Sequence, residues 1–167
     1  LIFRGADKVY YLADEMFSMP NEYIYKENLI ALFRELLPQI VLIGATPFGR
    51  SIAPRISTAL HTGLTADCTG LELDSEGKLV QIRPAFSENI LAHIRTTTMP
   101  QISTIRYKEF PEAERDTSRT GEEEVRGALV DPQQVKPGIE VLEKVGEKDV
   151  DIAEASVVVS GGNGLKN

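Results

Sequence analysis

Gln39-Ile40-Val41-Leu42-Ile43-Gly44-Ala45-Thr46-Pro47-Phe48-Gly49-Arg50 decides the fold. Its first five residues make a continuous apolar run, the pattern of a strand covered on both faces of a parallel sheet. Thr46 then offers an N-cap side chain, and Pro47 a first helical residue whose missing N–H is no loss at that position. The helix so opened carries Ile52, Ile56, Ala59 and Leu60 inward and ends before Gly63. Upstream, Tyr23 to Leu37 places Leu29, Leu32, Phe33, Leu36 and Leu37 on one helical stripe until Pro38 stops it. Before that, Lys8-Val9-Tyr10-Tyr11-Leu12 is strand-like in its β-branched and aromatic content. The order strand, helix, strand, helix over 8–60 predicts parallel pairing with crossover helices.

Downstream the pattern changes. Leu71 to Asp74 and Lys78 to Ile82, joined by Ser75-Glu76-Gly77, predict an antiparallel hairpin with a glycine turn. Ile90 to Thr97 and Gln101 to Tyr107 predict two more strands, separated near Met99-Pro100. Glu109 to Arg126 has seven acidic residues against three basic ones, so it is expected to be an exposed connector. Ile139 to Val145 alternates like a half-exposed strand, and Gly146 to Asp151 is a charged linker. Ser156 to Val159 predicts a last buried-type strand, running into Ser160-Gly161-Gly162-Asn163-Gly164. The fold expected is α/β: a three-layer parallel-sheet core with an added antiparallel hairpin and strands. Leu1-Ile2-Phe3 starts apolar without an initiator Met, and the final strand and glycine loop have no helix after them. Both features lead us to expect a chain truncated at both ends.

Composition narrows the function. The chain has 167 residues, enough for one domain with a real core, and is 42% hydrophobic and 26% charged. A net charge of −7 without a basic run argues against nucleic acid as the partner. No apolar stretch approaches the ~20 residues that span a bilayer. One cysteine, Cys68, allows no internal disulfide, and two histidines, His61 and His93, make a histidine-based metal site improbable.

Three places carry candidate chemistry. Gly44 to Arg50 lies between a strand and a helix. It is either a cradle of backbone N–H groups for an anion, with Arg50 helping, or simply a tight βα turn. It is neither a Gly-Lys-Ser/Thr phosphate loop nor a GxGxxG fingerprint. Ser160, Gly161, Gly162, Asn163 and Gly164 form the stronger candidate. Three glycines past a buried strand permit positive φ and close backbone approach, as a dinucleotide pyrophosphate or flavin requires. The alternative is a flexible break. Asp67-Cys68-Thr69 has no histidine nearby in sequence, so Cys68 is expected to be a small buried residue. His93 is expected to be packed or at an interface, and His61 to interact with a helix C-terminus. No catalytic triad, carboxylate pair or metal cluster is found, so no side chain is expected to be a catalyst.

Several segments, taken in order, resemble the α subunit of electron transfer flavoproteins. They are Gly5-Ala6-Asp7-Lys8-Val9-Tyr10; Gly44-Ala45-Thr46 with Gly49-Arg50 and Ala53-Pro54-Arg55; Thr62 to Thr69; Arg83-Pro84-Ala85-Phe86 with Asn89; Arg95 with Met99-Pro100-Gln101; and Val157 to Gly162 with Gly164-Leu165-Lys166. Asn163 stands where that family usually has arginine, and Ser87-Glu88 where it has a glycine pair.

The resemblance implies a division of labour. Residues 1–150 would be the N-terminal α/β domain, lacking its first strand and helix, and 151–167 the first strand and glycine loop of the FAD-binding domain. The α subunit would pair with a β subunit that holds AMP or a second FAD. FAD would be bound by the full-length α subunit and not retained by this chain. Electrons would pass between acyl-CoA or other dehydrogenases and a quinone oxidoreductase or other acceptor. The location would be the cytoplasm of a bacterium, or the mitochondrial matrix in a eukaryote. The chain itself would be a docking scaffold for β. The rival reading is an adenine-nucleotide-binding module of the α-hydrolase type, using Gly44 to Arg50.

Overall fold

The computed structural model describes residues 1–135, 142, 143, 152 and 155–165. The decisive stretch folds as its sequence predicts. Ile40–Gly44 forms strand β2 and Pro47–Ala59 helix α2, with the Thr46 hydroxyl accepting from the Gly49 N–H at 3.0 Å. The preceding helix, α1, runs over Glu22–Leu36. Its N-cap is Asn21, whose side-chain oxygen accepts from the N–H groups of Tyr23 and Ile24. It ends where Leu37 turns left-handed ahead of Pro38. Its inward stripe is shorter than the spacing suggests: Ile30 and Leu32 are buried, whereas Leu36 and Leu37 are exposed.

The central parallel sheet has β7 (Gln101–Ile105) between β2 and β3 (Leu64–Cys68). Its register sets Val41 beside Ile102 and Thr65 beside Ser103. Helix α2 lies on one face of this sheet, and α1 packs on α2. Between them Ile30, Val41, Ile52, Ile56 and Ile102 close the core, flanked by Leu29, Phe33, Phe48 and Leu60. Fully burying one such aliphatic side chain contributes roughly 1.5–3 kcal/mol, against about 1 kcal/mol or less for an exposed ion pair. This cluster, rather than the many surface salt bridges, therefore holds the helices to the sheet.

The third layer is antiparallel. Strands β4 (Gly70–Leu73), β5 (Leu79–Ala85) and β6 (Ser87–Arg95) follow one another in that order, and β5 approaches β3. The interface between the two sheets is polar. The Thr65 hydroxyl donates to Gln81 Oε1 at 2.5 Å, and Gln81 Nε2 donates to the Ile102 carbonyl at 3.2 Å. Gln101 pairs its side-chain amide with both the N–H and the C=O of Leu79, at 3.0 and 3.1 Å, and also donates to the Thr96 carbonyl. Buried amides are tolerated because each polar atom finds a partner. The expected α/β architecture is thus present, with helices on one face of the parallel strands and the antiparallel sheet added on the other.

Four expectations need correction. First, β1 (Lys8–Leu12) does not pair with β2. It pairs in parallel with β8 (Glu122–Arg126), making a separate two-stranded sheet. Second, β8 lies within the segment expected to be an exposed connector. Its charge does not prevent pairing, because Lys8 bridges Glu122 (3.1 Å) and Glu124 (2.9 Å). Arg126 also binds Glu35 and Glu124 and sits 4.9 Å from the Tyr10 ring. Third, β2 is not covered on both faces, since Ile40 and Leu42 are exposed, and the strand buried throughout its first four residues is β7. Fourth, Ser156 to Val159 forms no strand: it bonds to no neighbouring strand among the described residues, and Val157, Val158 and Val159 are exposed. The strand expected at Ile139 to Val145 and the linker at Gly146 to Asp151 lie outside the described residues, apart from Leu142 and Glu143. No helix among the described residues is long and apolar enough to cross a membrane.

Candidate functional site

The turn after β2 is closed by its own chain. The Ala45 N–H donates to the Ile105 carbonyl at 2.8 Å and the Gly49 N–H to Thr46 Oγ1. The Arg50 N–H donates to the Thr46 carbonyl at 2.8 Å, and Arg50 Nε to the Ala45 carbonyl at the same distance. Phe48 turns away to meet the Tyr25 ring edge-on, 5.0 Å between centroids. With Pro47 lacking an N–H, most amides that would cradle a phosphate already have partners. Of the two readings of Gly44 to Arg50, this geometry is that of the tight βα turn.

The charged group beside that turn brings together residues from three segments. Asp67, in β3, has a left-handed backbone (φ 63°), and its N–H donates to Thr104 Oγ1 at 2.8 Å. Its carboxylate is shared by two arginines. Oδ1 accepts from Arg50 Nη2 at 2.9 Å, and Oδ2 from Arg106 Nη2 at 2.8 Å and Nε at 3.2 Å. Arg106 also lies 3.7 Å from Glu109. The Arg106 hydrogen bonds hold the Asp67 carboxyl below its ordinary value; partial burial opposes them, while the charges of Arg106, Arg50 and Arg83 add to them. The next residue, Cys68, is fully buried, and burial pushes its thiol up, so it is the small interior residue expected and no nucleophile.

A pH prediction follows from Asp67. A carboxyl whose folded value is depressed stabilises the fold fully above its ordinary value of 3.8 and loses that contribution as pH falls through the folded value. The stability gap between wild type and Asp67→Asn, read from urea midpoints, should therefore be wide at neutral pH and narrower at about pH 3. A gap that stays constant would show that the ion pairs contribute nothing that depends on charge.

The other candidates are dispersed. Ser160, Gly161, Gly162, Asn163 and Gly164 are all exposed. Asn163–Leu165 makes one 3₁₀ turn, with the Leu165 N–H donating to the Gly162 carbonyl at 3.1 Å. No described hydrogen bond joins this segment to the Asp67 group. Nothing lies within 4 Å of where a Cβ would sit on Gly162 or Gly164, so a ligand oxygen can approach the backbone there. His93 is exposed on β6, and His61, also exposed, follows the end of α2 with its N–H donating to the Thr58 carbonyl. Among the described residues no cluster of three metal-ligating side chains occurs.

Of the apolar side chains on the later strands, Ile82 and Ile102 are interior. What is exposed is Phe86, wholly so and with a left-handed backbone (φ 56°), followed along the edge strand β6 by Ile90 and Leu91.

Comparison with known proteins places this fold. The chain belongs to the electron transfer flavoprotein domain family, whose model matches residues 1–129. It is 39% identical over 166 residues to the electron transfer flavoprotein subunit alpha of Thermoanaerobacterium thermosaccharolyticum, covering 99% of this chain and 50% of that protein. Against the subunit alpha of Megasphaera elsdenii it is 39% identical over 170 residues, covering 100% and 50%. Against the lactate dehydrogenase (NAD(+),ferredoxin) subunit LctC of Acetobacterium woodii it is 41% identical over 169 residues, covering 99% and 40%. The chain thus spans about half the length of these relatives.

Proposed function

We propose that this chain serves electron transfer as the docking and scaffold part of an electron transfer flavoprotein α subunit. Residues 1–150 would form the docking domain and 151–167 the entry to the FAD domain. The observation that carries this reading is similarity, along the whole of this chain, to half of each of two proteins named as that subunit. The docking role is supported by Phe86, Ile90 and Leu91, exposed at the free edge of β6. Apolar side chains grouped on one edge are characteristic of protein interfaces. The partner is the β subunit, and the assembled complex works in the cytoplasm with a dehydrogenase as electron donor.

FAD supplies the electron-carrying chemistry when bound, and the protein supplies position and hydrogen bonds. Ser160, Gly161, Gly162, Asn163 and Gly164 would hold part of it. The open backbone at Gly162 and Gly164 suits close approach, and the Asn163 amide both donates and accepts. None of these side chains acts as a catalyst.

The test is coexpression of this chain with its β subunit, followed by size exclusion. A heterodimer is expected, and Phe86→Asp should weaken it strongly, since buried aromatic anchors contribute about 2 kcal/mol or more at interfaces. A charge at so exposed a site should leave folding intact. The purified chain should be colourless and the full-length subunit yellow. A chain that stays monomeric beside β at micromolar concentration ends the docking reading, and stoichiometric FAD on the chain alone ends the scaffold reading.

A further inference from the structure

The carboxyl ends of β2, β7 and β3 lie side by side, and Arg50, Arg106 and Asp67 meet there. In open α/β sheets ligands bind in the crevice outside the carboxyl ends of the strands. Arginine is the side chain whose fork matches the oxygens of carboxylate and phosphate. Both guanidiniums are reachable from solvent, their side chains 56% and 36% exposed. Yet the place between them holds a carboxylate from the chain itself, one oxygen on each arginine.

Getting it there distorts the strand. Asp67 adopts a backbone conformation uncommon for residues other than glycine, asparagine and aspartate. The register of β3 against β7 shifts between Thr65 and Cys68, and the Thr104 hydroxyl fixes the Asp67 N–H. A strand end needing only an ordinary neutral residue would not require this arrangement. Arg83 adds a further positive charge that acts on Asp67.

We infer that Asp67 is a built-in anion. Its carboxylate occupies the Arg50–Arg106 pair and so denies the strand-end crevice to phosphate-bearing ligands, which makes Asp67 the residue that sets the domain's specificity against free nucleotides and phosphate. This inference does not rest on the docking reading, and its test uses the chain without any partner. Inorganic phosphate is titrated calorimetrically into wild type, Asp67→Asn, Asp67→Gly and the double variant Asp67→Asn/Arg106→Gln. Asparagine and glycine both accept the left-handed backbone, so at least one neutral variant should fold.

Wild type should give no saturable heat at millimolar phosphate. The neutral variants should bind at least about tenfold more tightly, and the double variant should lose that gain. AMP should follow the same order. Folded Asp67→Asn and Asp67→Gly chains that bind no better than wild type would overturn the inference. So would a gain that survives the loss of Arg106, because the phosphate would then sit elsewhere.

Discussion

Gly49→Ala is expected to cost about 3 kcal/mol or more, in the upper range for overpacking. An added Cβ would lie 1.9 Å from the Gly44 carbonyl oxygen, and 3.2 Å from both the Gly44 carbonyl carbon and Ile43 Cγ2. The first two are backbone atoms of β2 and cannot swing aside like the end of a flexible side chain. Relief requires the first turn of α2 to lift off the strand, which would open the core at Ile52 and Phe48 and break the Thr46 cap. For a chain of this size such a loss lowers the melting temperature by roughly 6–12 °C. Gly44→Ala is the control. Nothing lies within 4 Å of its Cβ position, so the change should stay within about 0.5 kcal/mol. Equal melting temperatures for the two variants would mean that helix and strand do not approach as closely as described.

Gln101→Ala should be nearly as damaging, at about 2–4 kcal/mol. The side chain is 2% exposed, and its amide pairs with the backbone of Leu79 as a neighbouring strand would, one acceptor and one donor side by side. Alanine would strand the N–H and C=O of Leu79 and the carbonyl of Thr96 away from water. Gln101→Glu, of the same size, should be at least as harmful at neutral pH. It loses the donors and sets a carboxylate against two carbonyls. Denaturant midpoints for both variants check this. A Gln101→Glu chain as stable as wild type would show that the inter-sheet layer is hydrated and the amide pairing dispensable.

What the sequence discloses here depends on how local the determining physics is. The β2–turn–α2 unit is legible because an apolar run, a capping threonine and a proline lie within twelve residues. The β4–β5 hairpin is legible because its turn residues sit between its strands. β3 is not, because Thr65 is its one β-branched residue and Asp67 interrupts it with a backbone that strands avoid. β8 is hidden for another reason. Three consecutive glutamates look solvated until Lys8 and Arg126 are placed against them, and Lys8 lies over a hundred residues away in the chain. The Arg50–Asp67–Arg106 group is spread over three segments, so no spacing reveals it, although Arg50 stands out in the turn after β2. Gln81 and Gln101 look like surface residues in any hydropathy pattern and are interior only because each is matched to a specific partner. Conversely, Ser156 to Val159 has the composition of a strand, but composition supplies no neighbour to bond to.

The position of β7 has a consequence for how the domain is made. Helix α2 links β2 to β3, yet those two strands never touch, because the strand between them is synthesised more than thirty residues after β3. While the nascent chain emerges, both inner edges stay open, with unpaired amides and carbonyls facing a slot of one strand's width. Contacts so distant along the chain form slowly, and open strand edges invite association with other chains. The interval between the emergence of Cys68 and that of Ile105 is therefore when this polypeptide is most exposed to aggregation, and when a chaperone that shields strand edges would help it most.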